Sequence, residues 1–232
     1  MKQRAVQMGK RAAEARTLDH DEARRFYDRF GAWQDTQGFY ERPAIERLIA
    51  HAGFGDARAV VEFGCGTGRF AAELLSSHVS TECRYLGLDV SSTMVSLARE
   101  RVATFGVRAE VRQTDGAPRF DCDDESCDRV VSTYVLDLLP ADEISALLVD
   151  ARRILVAGGL FGATSLTRGE RRSERVVASL LKRIHAVRPA LLGGCRPIDI
   201  ESALREEGWR ICFRCVVSPF AIPSEVVIAQ RP

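Results

Sequence analysis

Apolar residues recur along most of the chain in two alternating patterns. Short apolar runs are typical of buried strands, and the stretches between them carry apolar residues three and four positions apart, as amphipathic helices do. The strand-like runs of the first two thirds cover residues 59–63, 85–89, 109–113, 128–134 and 160–166. Because strands that alternate with helices form parallel sheets covered on both faces, this pattern predicts an α/β fold.

The stretches between the strands predict the helices. Pro43 is suited to the first position of a helix, and one apolar face follows it at Ile45, Leu48, Ile49 and Ala52. Ser91 or Ser92 is suited to cap another helix, which runs to about Phe105. The remaining predicted helices cover residues 70–77, 141–155, 168–188 and 199–207.

The end of the chain departs from this alternation. Residues 209–217 and 225–230 are β-rich, and the turn between them contains Pro219 and Pro223 but is too short for a crossover helix. Two strands joined in this way pair antiparallel. We therefore predict a doubly wound, mostly parallel seven-stranded sheet whose final two strands form an antiparallel pair.

Length, charge and cysteine content limit the function. The 232 residues are 46% hydrophobic, so we expect one domain at 41–232 with an insertion at about 168–198, preceded by a helical arm or lid at 1–40. Because 33 basic residues balance 32 acidic ones, neither nucleic acid nor a membrane surface is an expected partner. The 7 cysteines are odd in number and scattered, and no apolar run reaches 18 residues. Both features favour a cytoplasmic protein without membrane insertion.

Three glycines at alternate positions, Gly64, Gly66 and Gly68, follow the first strand. Glycine permits a sharp strand-to-helix turn with bare backbone, and cofactors of nucleotide type bind at such turns. A nicotinamide dinucleotide requires the spacing G-x-G-x-x-G, but Arg69 stands where its third glycine belongs. A dinucleotide is therefore disfavoured here.

An acidic residue, Asp89, ends the second strand at the distance where an acid accepts hydrogen bonds from ribose hydroxyls. The alternative is an acid at a helix start, although Ser91 and Ser92 already offer caps there. Cys212 and Cys215 form a C-x-x-C, but on a strand they point to opposite faces. We predict no metal site.

The ordered motifs resemble those of class I S-adenosylmethionine-dependent methyltransferases. The glycine turn from Glu62 to Gly68, then Asp89, then Asp115 with Gly116, and finally the turn at 155–159 match that class over roughly residues 40–230. Tyr27-Asp28-Arg29-Phe30 and the fourth strand make the chain most similar to the small-molecule, ubiquinone/menaquinone-methyltransferase-like group. The resemblance implies a Rossmann-like sheet of seven strands and S-adenosylmethionine as cofactor.

The resemblance also implies which residues contact the cofactor. The expected set is Tyr27, Glu62, Gly64, Cys65, Gly66, Gly68, Asp89, Val90, Met94, Asp115, Gly116 and Thr133. Within it, Asp115 is implied to accept the adenine amino group. Other interpretations stay open, since Glu62 is also suited to structural capping, Met94 to the core and Asp115 to a turn.

Chemistry is expected after the fourth strand. Methyl transfer is an in-line displacement at an activated carbon, so positioning and exclusion of water supply much of the rate. If the acceptor must lose a proton, Asp137 and Tyr134 are the best-placed candidates, and His185 is the third. The fourth strand lacks the Asn-Pro-Pro-aromatic signature of amino-nucleobase methyltransferases, which disfavours DNA adenine as substrate.

The expected function is therefore methyl transfer from S-adenosylmethionine to a small-molecule acceptor. Two alternatives are a non-catalytic S-adenosylmethionine-binding regulatory or partner protein and a nicotinamide-dependent oxidoreductase. We expect the aromatic segment at 26–33 and the insertion at 168–197 to select the acceptor. The expected assembly is a monomer or a homodimer.

Overall fold

A seven-stranded sheet is the centre of the structure, a computed structural model that describes residues 20–31, 38–169 and 195–232. Its strands are β1 (Ala59–Phe63), β2 (Arg84–Asp89), β3 (Ala109–Gln113), β4 (Cys127–Thr133), β5 (Leu155–Leu166), β6 (Arg210–Val217) and β7 (Ser224–Gln230). They lie in the order β3-β2-β1-β4-β5-β7-β6. The first five are mutually parallel, and β7 is antiparallel to both β5 and β6. The predicted fold class is thereby confirmed.

Six α-helices of the described residues accompany the sheet. They are α1 (His20–Phe30), α2 (Gly38–His51), α3 (Arg69–Ser77), α4 (Ser92–Val102), α5 (Ala141–Ile154) and α6 (Ile200–Glu206). Short 3-10 turns lie at Phe54–Asp56, Ala103–Arg108, Leu136–Leu138 and Pro219–Ala221. Among the residues described, no helix has both the length and the apolar character needed to cross a membrane.

Successive residues of the strands feed two separate hydrophobic clusters, as the period of two in a strand requires. Val60 packs with the apolar residues of α2, α3 and α4, whereas its neighbour Val61 packs with those of α5 and α6. The same alternation occurs in β7, where Val226 and Val227 join different clusters. Both faces of the sheet are therefore covered, and the edge at the carboxyl ends of the parallel strands is left to bind a ligand.

The predicted start of the second helix was wrong. Helix α2 begins at Gly38, so Pro43 lies inside it rather than at its first position. The extra turn carries Tyr40, whose ring meets that of Tyr134 edge to face with 5.8 Å between centroids. This packing compensates for the hydrogen bond that a proline removes from a helix.

The predicted boundary between the helix at 141–155 and the fifth strand was also wrong. Helix α5 ends at Ile154, and β5 begins immediately because Leu155 already pairs with Cys127 of β4. The next residue pair is Arg129 with Leu160, so the intervening residues form a bulge in which Gly158 has a φ of 75°. The two glycines at 158 and 159 thus interrupt a strand rather than end a helix.

Part of the predicted insertion, residues 170–194 with His185, lies outside the described residues. The same holds for most of the predicted arm, residues 1–19 and 32–37. The described portion of that arm is α1, which lies against α4.

Candidate active site

The glycine turn is tied to the end of β2. Both Gly64 and Cys65 donate their backbone N–H groups to the carbonyl oxygen of Leu88, at 2.7 and 3.0 Å. Gly64 has a φ of 77°, and a Cβ added there would lie 2.2 Å from Cγ2 of Val135. Only glycine fits this position, because the chain leaving β4 presses directly against the turn.

Asp89 joins the same turn through its side chain. Its Oδ2 accepts a hydrogen bond from the backbone N–H of Gly66 at 2.8 Å, and its Oδ1 accepts one from that of Ser91 at 2.9 Å. Burial raises the pKa of the Asp89 carboxyl, and the hydrogen bonds from Ser91 and Gly66 oppose that rise. A half-buried carboxylate is therefore fixed between the first two strands, with further lone pairs available to a ligand.

A pocket of about 810 Å³ runs along this edge of the sheet. It is lined by His20, Ala23, Tyr27, Phe63, Gly64, Gly66, Leu88, Asp89, Val90, Met94, Thr114, Gly116, Tyr134, Val135, Leu138 and Leu139. These residues come from the ends of β1 to β4 and the turns that follow them, from α1 and from the first turn of α4. Seven of the residues predicted to contact the cofactor, and one of the two predicted catalytic residues, meet in this one cavity.

A second pocket, of about 450 Å³, lies beyond the glycine turn. It shares Gly64, Gly66 and Tyr134 with the first and adds Glu41, Ile45, Glu62, Cys65, Thr67, Arg69, Phe70 and Thr133. The predicted residues Glu62, Cys65 and Thr133 therefore belong to this more polar cavity. Arg69, the first residue of α3, contacts Glu41 of α2 with 3.1 Å between Nη2 and Oε2.

Glu62 is completely buried at the end of β1. Burial raises the pKa of its carboxyl to about 8, although the hydroxyl of Tyr85 donates to Oε2 at 2.5 Å and opposes the rise. The hydroxyl of Thr133 lies 3.5 Å from Oε1. Burial likewise raises the pKa of the neighbouring Cys65 thiol far above its usual range, so this thiol is protonated at neutral pH.

Tyr134 lies where the two pockets meet. It follows β4 with a φ of 56°, an uncommon left-handed conformation for a residue with a side chain. Its hydroxyl donates to Oγ of Ser224 at 2.9 Å. Burial raises the pKa of this hydroxyl, which remains protonated at neutral pH. Strained residues of this kind cluster at functional sites, where the surrounding packing holds them in place.

Three predicted site residues do not line either pocket. Gly68 ends the turn and packs against Ala98 of α4. The Asp115 carboxylate is exposed and accepts hydrogen bonds from the backbone N–H of Ala117 at 3.0 Å and from Arg119 at 2.8 Å. This geometry does not match the adenine contact that the resemblance implies for the Asp115 carboxylate. Its neighbour Gly116 does line the pocket.

Asp137, the third, is completely buried behind the pocket wall. Its Oδ2 accepts a hydrogen bond from the backbone N–H of Leu166 at 3.2 Å, which ties the turn after β4 to β5. Burial raises the pKa of the Asp137 carboxyl to about 6. A structural role accounts for these contacts, and the catalytic role of Asp137 stays a prediction.

The sequence prediction missed several residues of the pocket wall. They are His20, Ala23, Phe63, Leu88, Thr114, Val135, Leu138 and Leu139. One signal was present in the sequence, because His20, Ala23 and Tyr27 have the spacing of a single helix face. Which surface that face covers depends on packing between distant parts of the chain.

Comparison with known proteins agrees with this site. Residues 60–159 match the model of a family described as a methyltransferase domain. The malonyl-(acyl-carrier protein) O-methyltransferase of Marinomonas sp. (strain MWYL1) is 30% identical over 149 residues. Those residues are 63% of this chain but 52% of the relative, so the matched region spans about half of that protein.

Two solved structures share the fold. A chain in the complex of the Haloferax volcanii Trm112 methyltransferase activator with a methyltransferase has a TM-score of 0.70 and 18% identity, covering 90% of this chain and 97% of that one. A geranyl diphosphate methyltransferase in complex with S-adenosylmethionine has a TM-score of 0.61 and 12% identity, covering 82% and 85%. At these identities the two structures establish the shared architecture.

The family match and the shared fold agree with the resemblance found in the sequence. Residues 60–159 match a methyltransferase domain, and the sheet has the architecture of solved methyltransferases. One of those structures holds S-adenosylmethionine, the cofactor predicted for this chain.

Proposed function

We propose that this protein transfers the methyl group of S-adenosylmethionine to a small-molecule acceptor. The observation that carries the proposal is the composition of the larger pocket. Bare backbone at Gly64 and Gly66, a half-buried acid at Asp89 and the constrained Tyr134 form one continuous wall. A ligand with a ribose at one end and a reactive centre at the other fits that order of groups.

The residues present fit the cofactor. The Asp89 carboxylate is half-buried and already oriented by two backbone N–H groups, so it is ready to accept ribose hydroxyls. Val90 and the buried Met94 supply an apolar wall beside it. In the second pocket, Glu62 and Thr133 offer oxygen atoms to a charged amino-acid group. The cofactor supplies a methyl group that its sulfonium has already activated for displacement.

Tyr134, at the junction of the two pockets, positions the acceptor and does not remove a proton from it. Because burial keeps the Tyr134 hydroxyl protonated, it is unsuited to accept a proton at neutral pH. The other candidate, Asp137, lies behind the wall and is held by Leu166. The acceptor we propose is therefore a group that is nucleophilic without a strong base, such as a carboxylate, an amine or a thiolate.

The cavity wall next to Tyr134 favours an acceptor with an apolar part. Val135, Leu138 and Leu139 line it, and none of the three has a polar side chain. Apolar lining with few polar groups is typical of sites for small molecules. A water-poor wall also limits hydrolysis of the cofactor.

Incubation with methyl-labelled S-adenosylmethionine and a panel of small carboxylic acids, amines and thiols tests the proposal. The expected result is label transfer to at least one acceptor, with transfer reduced in Asp89→Ala. Tight binding of S-adenosylhomocysteine without transfer to any acceptor would instead favour a non-catalytic binding protein. The same assay with Asp56→Ala, an exposed acid in the turn before β1, controls for the general effect of removing a charge.

A further inference from the structure

Helix α1 lines the larger pocket and is held at both ends by polar contacts. At its first residue, Nε2 of His20 lies 3.0 and 2.9 Å from the two carboxylate oxygens of Glu143 in the first turn of α5. Near its other end, Asp28 accepts a hydrogen bond from Oγ of Ser91 at 2.6 Å, just before α4. The helix therefore spans from one side of the pocket to the other.

The face of α1 between these contacts is the one that lines the cavity. His20, Ala23 and Tyr27 all belong to the pocket wall. None of the residues of α1 whose side chains are described is fully buried, and most of them are half-buried or exposed. An element with so little buried surface is among the first to detach from a folded protein, so the polar contacts at its ends matter for its position.

His20 also touches the part of the pocket formed by the end of β3. A Cβ added at Gly116 would lie 2.8 Å from Nδ1 of His20, so the imidazole packs directly on this glycine. The backbone carbonyl of Asp115 accepts a hydrogen bond from the same ring. His20 thus connects three segments that line or flank the cavity: α1, the turn after β3 and α5.

The geometry points to His20 and Glu143 as a latch that holds α1 closed over the bound cofactor, so that both are positioning residues for cofactor retention. This inference rests on the proposed cofactor site. It adds that the cofactor and its product leave by opening α1, and that the strength of this one contact sets their rate of departure. Neither His20 nor Glu143 was among the site residues predicted from the sequence.

The charge state of His20 controls the latch. Glu143 on α5 and Asp115 in the turn after β3 are the acidic groups that face the imidazole. Burial lowers the pKa of His20, but the contacts with Glu143 and Asp115 outweigh it and leave the pKa above 6.5. The charged form is therefore favoured when α1 is closed. The latch is at full strength below pH 6.5 and weakens as the pH rises through the raised pKa.

Dissociation of tritiated S-adenosylmethionine, chased with excess S-adenosylhomocysteine, tests the inference. We expect His20→Ala and Glu143→Gln each to raise the dissociation rate at least fivefold at pH 6. Their double variant should be no faster than His20→Ala alone, because Glu143→Gln removes no contact that His20→Ala leaves in place. Asp142→Asn removes the adjacent exposed acid of the same turn and should leave the rate within twofold of the parent.

The pH dependence separates a latch from a general loss of structure. The parent should release the cofactor faster as the pH is raised from 6 to 9, whereas His20→Gln should show a much smaller increase, because only other titrating groups of the site such as Glu62 remain. Unchanged release in both single variants, or additive effects in the double variant, would overturn the latch while leaving the cofactor site intact. Failure of the parent to bind S-adenosylmethionine would overturn the proposed function and the latch together. Melting temperatures identify any variant that has lost the fold. If His20→Ala or Glu143→Gln has lost it, the pH profile of His20→Gln tests the latch in its place.

Discussion

The Asp89 carboxylate accepts a hydrogen bond from the backbone N–H of Gly66, with 2.8 Å between Oδ2 and N. This contact links the end of β2 to the glycine turn after β1. It fixes the turn that borders both pockets and at the same time orients the acid that lines the larger one. One side chain thus shapes the site and is the one for which we propose ribose binding.

Asp89→Asn should weaken S-adenosylhomocysteine binding by roughly 1–3 kcal/mol, because the amide nitrogen replaces one of two acceptor oxygens in a buried site. Isothermal titration calorimetry measures this loss. Asp56→Asn, which changes an exposed acid before β1, should bind as the parent does. Equal affinity in the parent and in Asp89→Asn would remove Asp89 from the binding site.

Asp115→Ala distinguishes the structure from the implied adenine contact. The Asp115 carboxylate is exposed and bonds to Arg119, so its removal should change S-adenosylhomocysteine affinity by less than about 0.5 kcal/mol. The same calorimetric titration applies. A loss as large as that of Asp89→Asn would show that Asp115 turns into the pocket when the ligand binds.

Gly64→Ala should damage both stability and binding. Its Cβ would lie 2.2 Å from Cγ2 of Val135, and the residue would have to keep a φ of 77°. We expect a loss of roughly 1–3 kcal/mol in the free energy of unfolding, measured in urea, and much weaker binding of S-adenosylhomocysteine. Combining it with Val135→Ala removes the clash but not the backbone strain, so stability should recover in part. No recovery would mean that the clash with Val135 is not the cause.

Glu62→Gln should change how stability depends on pH. Burial raises the pKa of Glu62 from 4.5 to about 8. The contribution of this carboxyl to the free energy of unfolding is therefore fully present below pH 4.5 and is lost as the pH rises to 8. Glutamine has no such titration. Between pH 5 and pH 9 the free energy of unfolding should therefore fall less in Glu62→Gln than in the parent. The two falls should differ by more than about 1 kcal/mol. Parallel profiles for the two proteins would contradict the raised pKa.

Local sequence was sufficient for the features that depend on neighbours along the chain. The buried run before Gly64 and the acid at Asp89 both stand at strand ends, and parallel strands bring such ends to one edge. The strand pattern therefore located the sheet edge on which the larger pocket lies, and half of its lining residues were among the predicted ones. The antiparallel final pair followed in the same way from a connection too short for a helix.

The missed features depend on contacts between distant residues. The position of His20 is set by Glu143, 123 residues away. The longer α2 is stabilised by the packing of Tyr40 on Tyr134. No periodicity records these pairings, because each partner alone is compatible with several environments.

Calorimetric titration of the parent protein with S-adenosylhomocysteine, and separately with NAD, tests the central claim most directly. The account predicts one binding site for S-adenosylhomocysteine with a dissociation constant in the micromolar range or below, on the order of −8 kcal/mol, and no heat of binding with NAD. Binding of NAD without binding of S-adenosylhomocysteine would contradict it.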